Sequence, residues 1–197
     1  MSHKRSTTTA AVIGAASFTL LATAVLAWAQ PIRGTDGPDV LTGTDVRDRI
    51  SARAGDDTVY AKAGRDTVQA GKDDDTVDAG PGRDLVYGHR GDDTLSGGAG
   101  PDLILAGPGV DTVNGGDGND SLWALAPGDV TKQAGEPADT VNGGAGRDRI
   151  HVRDGEPDTV TCGPGRDVVR ADRKDIVAAD CELVKRRGAH KGVAKGD

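Results

Sequence analysis

From residue 41 to residue 122 one aliphatic side chain recurs every nine positions: Leu41, Ile50, Val59, Val68, Val77, Val86, Leu95, Ile104, Val113 and Leu122. Two residues before each stands an aspartate, in the unbroken series Asp39, Asp48, Asp57, Asp66, Asp75, Asp84, Asp93, Asp102, Asp111 and Asp120. Eight of the ten units carry glycine two residues before the aspartate; Val46 and Asp73 are the exceptions. A unit with one aliphatic residue buries it only by stacking on its neighbours, so the pattern predicts a solenoid.

Three units, "GGAGPDLIL" (97–105), "GGDGNDSLW" (115–123) and "GGAGRDRIH" (143–151), fit the pattern G-G-x-G-x-D-x-U-x in full. The repeat resembles the RTX, or haemolysin-type, calcium-binding nonapeptide family, over about residues 34–177. The resemblance implies an all-β fold, a right-handed parallel β-roll. Six residues make each turn, three make a short strand, and two repeats complete a coil of 18. The physics agrees: side chains alternate along a strand, so a strand centred on the aliphatic residue turns it inward and its neighbours outward. Leu41, Val59, Val77, Leu95 and Val113 would then face Ile50, Val68, Val86, Ile104 and Leu122 across a thin core.

Stacking places residues 18 apart about 4.8 Å from one another. The aspartates therefore form two columns, Asp39, Asp57, Asp75, Asp93 and Asp111 on one edge and Asp48, Asp66, Asp84, Asp102 and Asp120 on the other. Carboxylates about 5 Å apart repel by roughly 3 kcal/mol at an effective dielectric near 20. A hard divalent ion reverses that sign, since Ca²⁺ takes six to eight oxygens from carboxylates and carbonyls. In the resembling family each ion lies between turns two repeats apart, bound by both aspartates and several turn carbonyls. The best calcium sites expected are the two gaps within Gly80, Gly82 and Asp84; Gly98, Gly100 and Asp102; and Gly116, Gly118 and Asp120. The turns ending in Asp75, Asp93 and Asp111 come second, and Asp148 closes a later matching unit. The turns ending in Asp48, Asp57 and Asp66 lack the glycine pair. Before the aspartate, one edge carries Asp56, Asp74 and Asp92 and the other Arg47, Arg65 and Arg83. Two readings stay open: these residues tune or replace the ions, or they face solvent and balance charge.

Composition sharpens the rest. Residues 1–29 read as a cleaved signal peptide: Lys4 and Arg5, then an apolar stretch, then Ala27-Trp28-Ala29. The chain is thus expected to be exported and to keep no membrane span after cleavage. The formal charge is −7, and only the last 13 residues are strongly basic, which points to cations and away from nucleic acid as partners. Aromatic residues make up 3% of the chain and glycines number 30, which excludes an ordinary globular core.

The domain reading is a ten-repeat roll over 34–123, an inserted loop at 124–138, a continuing roll with a C-terminal cap over 139–184, and a basic disordered tail at 185–197. The rhythm resumes at Asp139, Asp148, Asp158, Asp167 and Asp175. Contact of the tail with anionic cell-surface polymers and a plain solvated end are both open. Cys162 and Cys181, 19 apart, would lie on the same edge of adjacent turns, within reach of a disulfide that an exported chain permits. No H-E-x-x-H, phosphate loop or nucleophilic cysteine context is present, and the acid pairs recur with the repeat. The chain therefore reads as a non-enzymatic, secreted calcium-binding β-roll. The alternative is a calcium-independent structural or adhesive cell-surface solenoid with Arg–Asp contacts in place of ions.

Overall fold

The computed structural model describes residues 31–124 and 139–186. The proposed signal peptide, nearly all of the inserted loop and the tail from residue 187 lie outside them. The described chain winds between two parallel sheets, one of nine strands and one of eight, with successive strands falling in alternate sheets. Repeats two apart therefore stack in register, as in Ile50 on Val68, Val68 on Val86, and Leu41 on Val59. No helix among the described residues is long and apolar enough to cross a membrane.

The aliphatic residue of every unit points inward and is sealed, from Leu41 and Ile50 through Leu122 to Val169. A second inward position, two residues further on, was not anticipated. It holds Ala52, Ala61, Ala70, Ala79, Ala106, Ala124, Val152, Cys162 and Ala171, all buried. Most of these residues are small. Ala124, assigned by sequence to the insertion, belongs to this core and donates its N–H to the His151 carbonyl.

Three-residue strands occur, such as Thr58–Tyr60 and Ser121–Trp123, but others run on into the turn, as Thr112–Gly118 and Thr140–Gly146 do. There the turns themselves pair, Gly116 with Gly98 and Gly144, and Gly118 with Gly146. Turns of one conformation, stacked coil on coil, align amides with carbonyls as strands do.

Across the insertion the register holds: Val113 lies beside Val141 and Leu122 beside Ile150. At the far end, Leu183–Arg186 pairs with Val168–Ala171, so Lys185 and Arg186 are strand residues, not part of a disordered tail. There the Arg186 guanidinium donates to the Asp172 and Asp175 carbonyls. Cys162 and Cys181 are joined, with Cα atoms 5.2 Å apart. Closing about 19 residues contributes roughly 3 kcal/mol in the chain-entropy picture, where stacking partners run out.

Candidate metal centre

The two aspartate columns exist, but they lie inside the coil corners instead of on an open edge. From Asp48 to Asp175 these side chains are 0–4% exposed. From Asp57 to Asp167 each Oδ1 accepts the backbone N–H of the aspartate one coil earlier, at 2.7–3.0 Å, whereas Asp48 Oδ1, at the start of its column, is buried without a hydrogen bond. The ladder crosses the insertion unbroken, Asp111 to Asp139 and Asp120 to Asp148. Glu182 takes the same role for the Asp167 amide and ends one column. The columns thus include Asp139, Asp158, Asp167 and Asp175, whose rhythm the sequence shows but whose participation it did not establish.

The other oxygen is the informative one. Oδ2 of Asp57, Asp66, Asp75, Asp84, Asp93, Asp102, Asp120, Asp148, Asp158 and Asp167 is buried without a hydrogen bond. Such an oxygen costs free energy unless something meets it. Burial accordingly pushes these carboxyls up. Asp84 and Asp148 reach about 6, and Asp75, Asp93 and Asp102 about 7, despite the ladder amide that holds each one down. Asp158 reaches about 8 because burial is joined by the charges of Asp154 and Asp139.

The first two turns differ. Asp39 Oδ2 accepts the Thr35 amide and hydroxyl, and Asp48 Oδ2 accepts those of Thr44, at 2.6 and 2.9 Å. In those turns a threonine four residues back meets Oδ2, and at Asp48 it is Oδ1 that is buried without a hydrogen bond.

The glycines complete the cradle. A Cβ at Gly97 or Gly115 would sit 2.6 Å from Oδ2 of Asp102 or Asp120. Along the turns, each glycine's α-carbon lies over the carbonyl of the coil before. A Cβ at Gly98, Gly116 or Gly144 would meet the Gly80, Gly98 or Gly116 oxygen at 2.3, 1.9 and 1.9 Å. The column Gly82, Gly100, Gly118 and Gly146 stacks likewise. The three turns singled out by sequence are thus brought together, and 143–148 joins them as a fourth. Buried carboxylate oxygens beside stacked carbonyls form the all-oxygen donor set a hard cation takes.

One substitution tests that closeness. Gly146 has φ 149°, and a Cβ there would fall 1.4 Å from the Gly118 oxygen. Gly146→Ala is expected to cost about 3 kcal/mol or more, beyond backbone strain alone, lowering the melting temperature by at least about 6 °C. Gly37→Ala, with nothing within 4 Å, should leave it unchanged. Equal melts for the two variants in calcium would mean the turns do not stack this tightly.

The residues before the aspartates face out. Arg47, Arg65 and Arg83 are exposed, and the orphaned oxygens of Asp66 and Asp84 show that no guanidinium takes an ion's place there. On the other edge Asp74 Oδ1 accepts the Asp92 amide and Asp92 Oδ1 that of Val110, both at 2.8 Å, an outer ladder exposed to solvent.

Two parallel sheets joined by stacked glycine–aspartate turns define a β-roll solenoid. More than half of the chain matches the RTX calcium-binding nonapeptide repeat, in four copies at 33–68, 60–95, 87–122 and 133–169, and the chain belongs to that family. A comparison with curated proteins finds no match.

Proposed function

We propose that this chain is an exported calcium-binding β-roll in which Ca²⁺, held between successive turns, is part of the fold. The observation that carries this reading is the run of buried, unbonded Oδ2 atoms beneath stacked glycine carbonyls. When bound, the ion supplies positive charge and coordination to oxygens that otherwise have neither. Asp84, Asp102, Asp120 and Asp148, with Gly80, Gly82, Gly98, Gly100, Gly116 and Gly118, would hold it on one edge. Asp75, Asp93 and Asp111 would do so on the other. Asp57 and Asp66 offer the same oxygen from turns that keep the left-handed backbone without a glycine pair, at Arg53 and Lys62. Export rests on the pattern of residues 1–29, and the role is binding, not catalysis.

Isothermal titration of the chelated chain with calcium tests this. Wild type is expected to bind several ions. Asp102→Asn should lose those of the two gaps that share Asp102, between Asp84 and Asp102 and between Asp102 and Asp120. A wild-type chain that takes up no calcium sinks the reading.

A further inference from the structure

The turn before Asp158 departs from the glycine-paired turns. It reads "RDGEPD" (153–158), has no glycine pair, and follows a repeat interval of ten. Asp154 stands four residues before Asp158, the spacing at which Thr35 and Thr44 donate to Asp39 and Asp48. A carboxylate accepts and does not donate, so here the donor of the first turns is replaced by a second acceptor. Carboxylate oxygens of Asp139, Asp154 and Asp158 lie within 4.8 Å of one another.

A second observation makes this more than an acidic cluster. Asp158 is 0% exposed. Its Oδ1 is taken by the Asp139 amide at 3.0 Å, and its Oδ2 is buried with no hydrogen bond. Asp154 Oδ1 accepts the Glu156 amide at 2.8 Å, which fixes the turn.

We infer that Asp139, Asp154 and Asp158 form a separate Ca²⁺ site, built on three carboxylates instead of on glycine turns. Oxygens 2.3–2.6 Å from a calcium ion stand at most about 5 Å apart across it, which suits the observed cluster. Three carboxylates with no nitrogen or sulfur ligand select a hard cation. The site differs from the turn sites in its ligand source: Asp154 lies outside both columns, and the ladder hydrogen bonds survive without it.

The inference is separable from the ladder reading. Equilibrium dialysis with radioactive calcium would count ions on the full-length wild type, Asp154→Asn and Asp154→Thr, with circular dichroism in saturating calcium as the fold control. Asn retains an acceptor for the Glu156 amide, and Thr recreates the hydroxyl donor of the first turns. Each variant is expected to bind one ion fewer with its sheet signal intact. An unchanged ion count in a folded variant overturns this site and leaves the ladder standing. Loss of the sheet in both variants also overturns it, since Asp154 would then act as a structural group. A wild type that binds no calcium overturns this site and the ladder reading together.

Discussion

Chelation at pH 8 is expected to collapse the β-sheet circular-dichroism signal of the full-length chain, and calcium at about 1 mM, but not magnesium, to restore it. The unit that must fold has one aliphatic residue and one small residue facing inward for every nine positions. Against that small apolar gain stands a buried carboxylate whose second oxygen meets no donor, repeated through ten of the aspartates. At pH 8 a metal-free roll must either hold those carboxylates ionised in a dry corner or keep them protonated against the solvent pH. Both cost free energy. An ion that binds only the stacked turns adds about 2.7 kcal/mol for each site at 100 times its dissociation constant, and neighbouring gaps share aspartates, so occupancy and stacking rise together. Magnesium dehydrates reluctantly and demands octahedral geometry, which suits a carbonyl-rich turn poorly. A sheet spectrum unchanged in chelator would show that the ladder of Asp amide bonds and the disulfide hold the roll without metal. A chain with no sheet signal in either condition would contradict the fold.

Much of this architecture is legible in the sequence because a solenoid repeats its own evidence. The nine-residue interval assigns Ile50 and Val59 to opposite sheets, and the family pattern of 18 residues per coil gives the register that pairs Val68 with Val86. The cysteine spacing carries to the observed bridge for the same reason. What is not legible depends on where a side chain's second atom goes. An aspartate column reads as repulsion to be relieved by ions, yet from Asp57 to Asp167 each Oδ1 is committed to an amide one coil away. The use of Asp in these positions until Glu182 ends one column is the signal that a short, fixed reach is required. The inner alanines are not legible because alanine is also at home on a surface, and only their burial in the fold distinguishes Ala52 or Ala70. Thr35 and Thr44 look like ordinary turn residues until their hydroxyls are seen on Asp39 and Asp48. Asp154 is hidden by the irregular interval that makes its turn unusual.

Acid is expected to stabilise the chelated roll and destabilise the calcium-loaded one: in chelator a sheet melt should appear at pH 4.5 where the chain at pH 8 shows little or none, and in calcium the chain at pH 8 should melt higher than at pH 4.5. The sign follows from the folded carboxyls. Burial raises Asp84, Asp148 and Asp175 to about 6, Asp75, Asp93 and Asp102 to about 7, and Asp158 to about 8, from an ordinary value of 3.8. A group whose folded value is raised contributes stability that is fully present below its unfolded value and is lost as the pH climbs through the folded one. Without metal, stability therefore falls between about pH 4 and pH 8. Each raised carboxyl thus weakens the metal-free roll at pH 8 relative to pH 4.5. The groups interact along each column, so their effects do not add. Calcium inverts the relation because it binds only the ionised form: its affinity rises as these same carboxyls lose their protons and fades on acidification. Sheet signal in chelator that is unchanged or climbs between pH 4.5 and pH 8 would mean that the carboxylates ionise freely in the metal-free coil. The corners would then be open to water, and the orphaned oxygens would no longer argue for an ion.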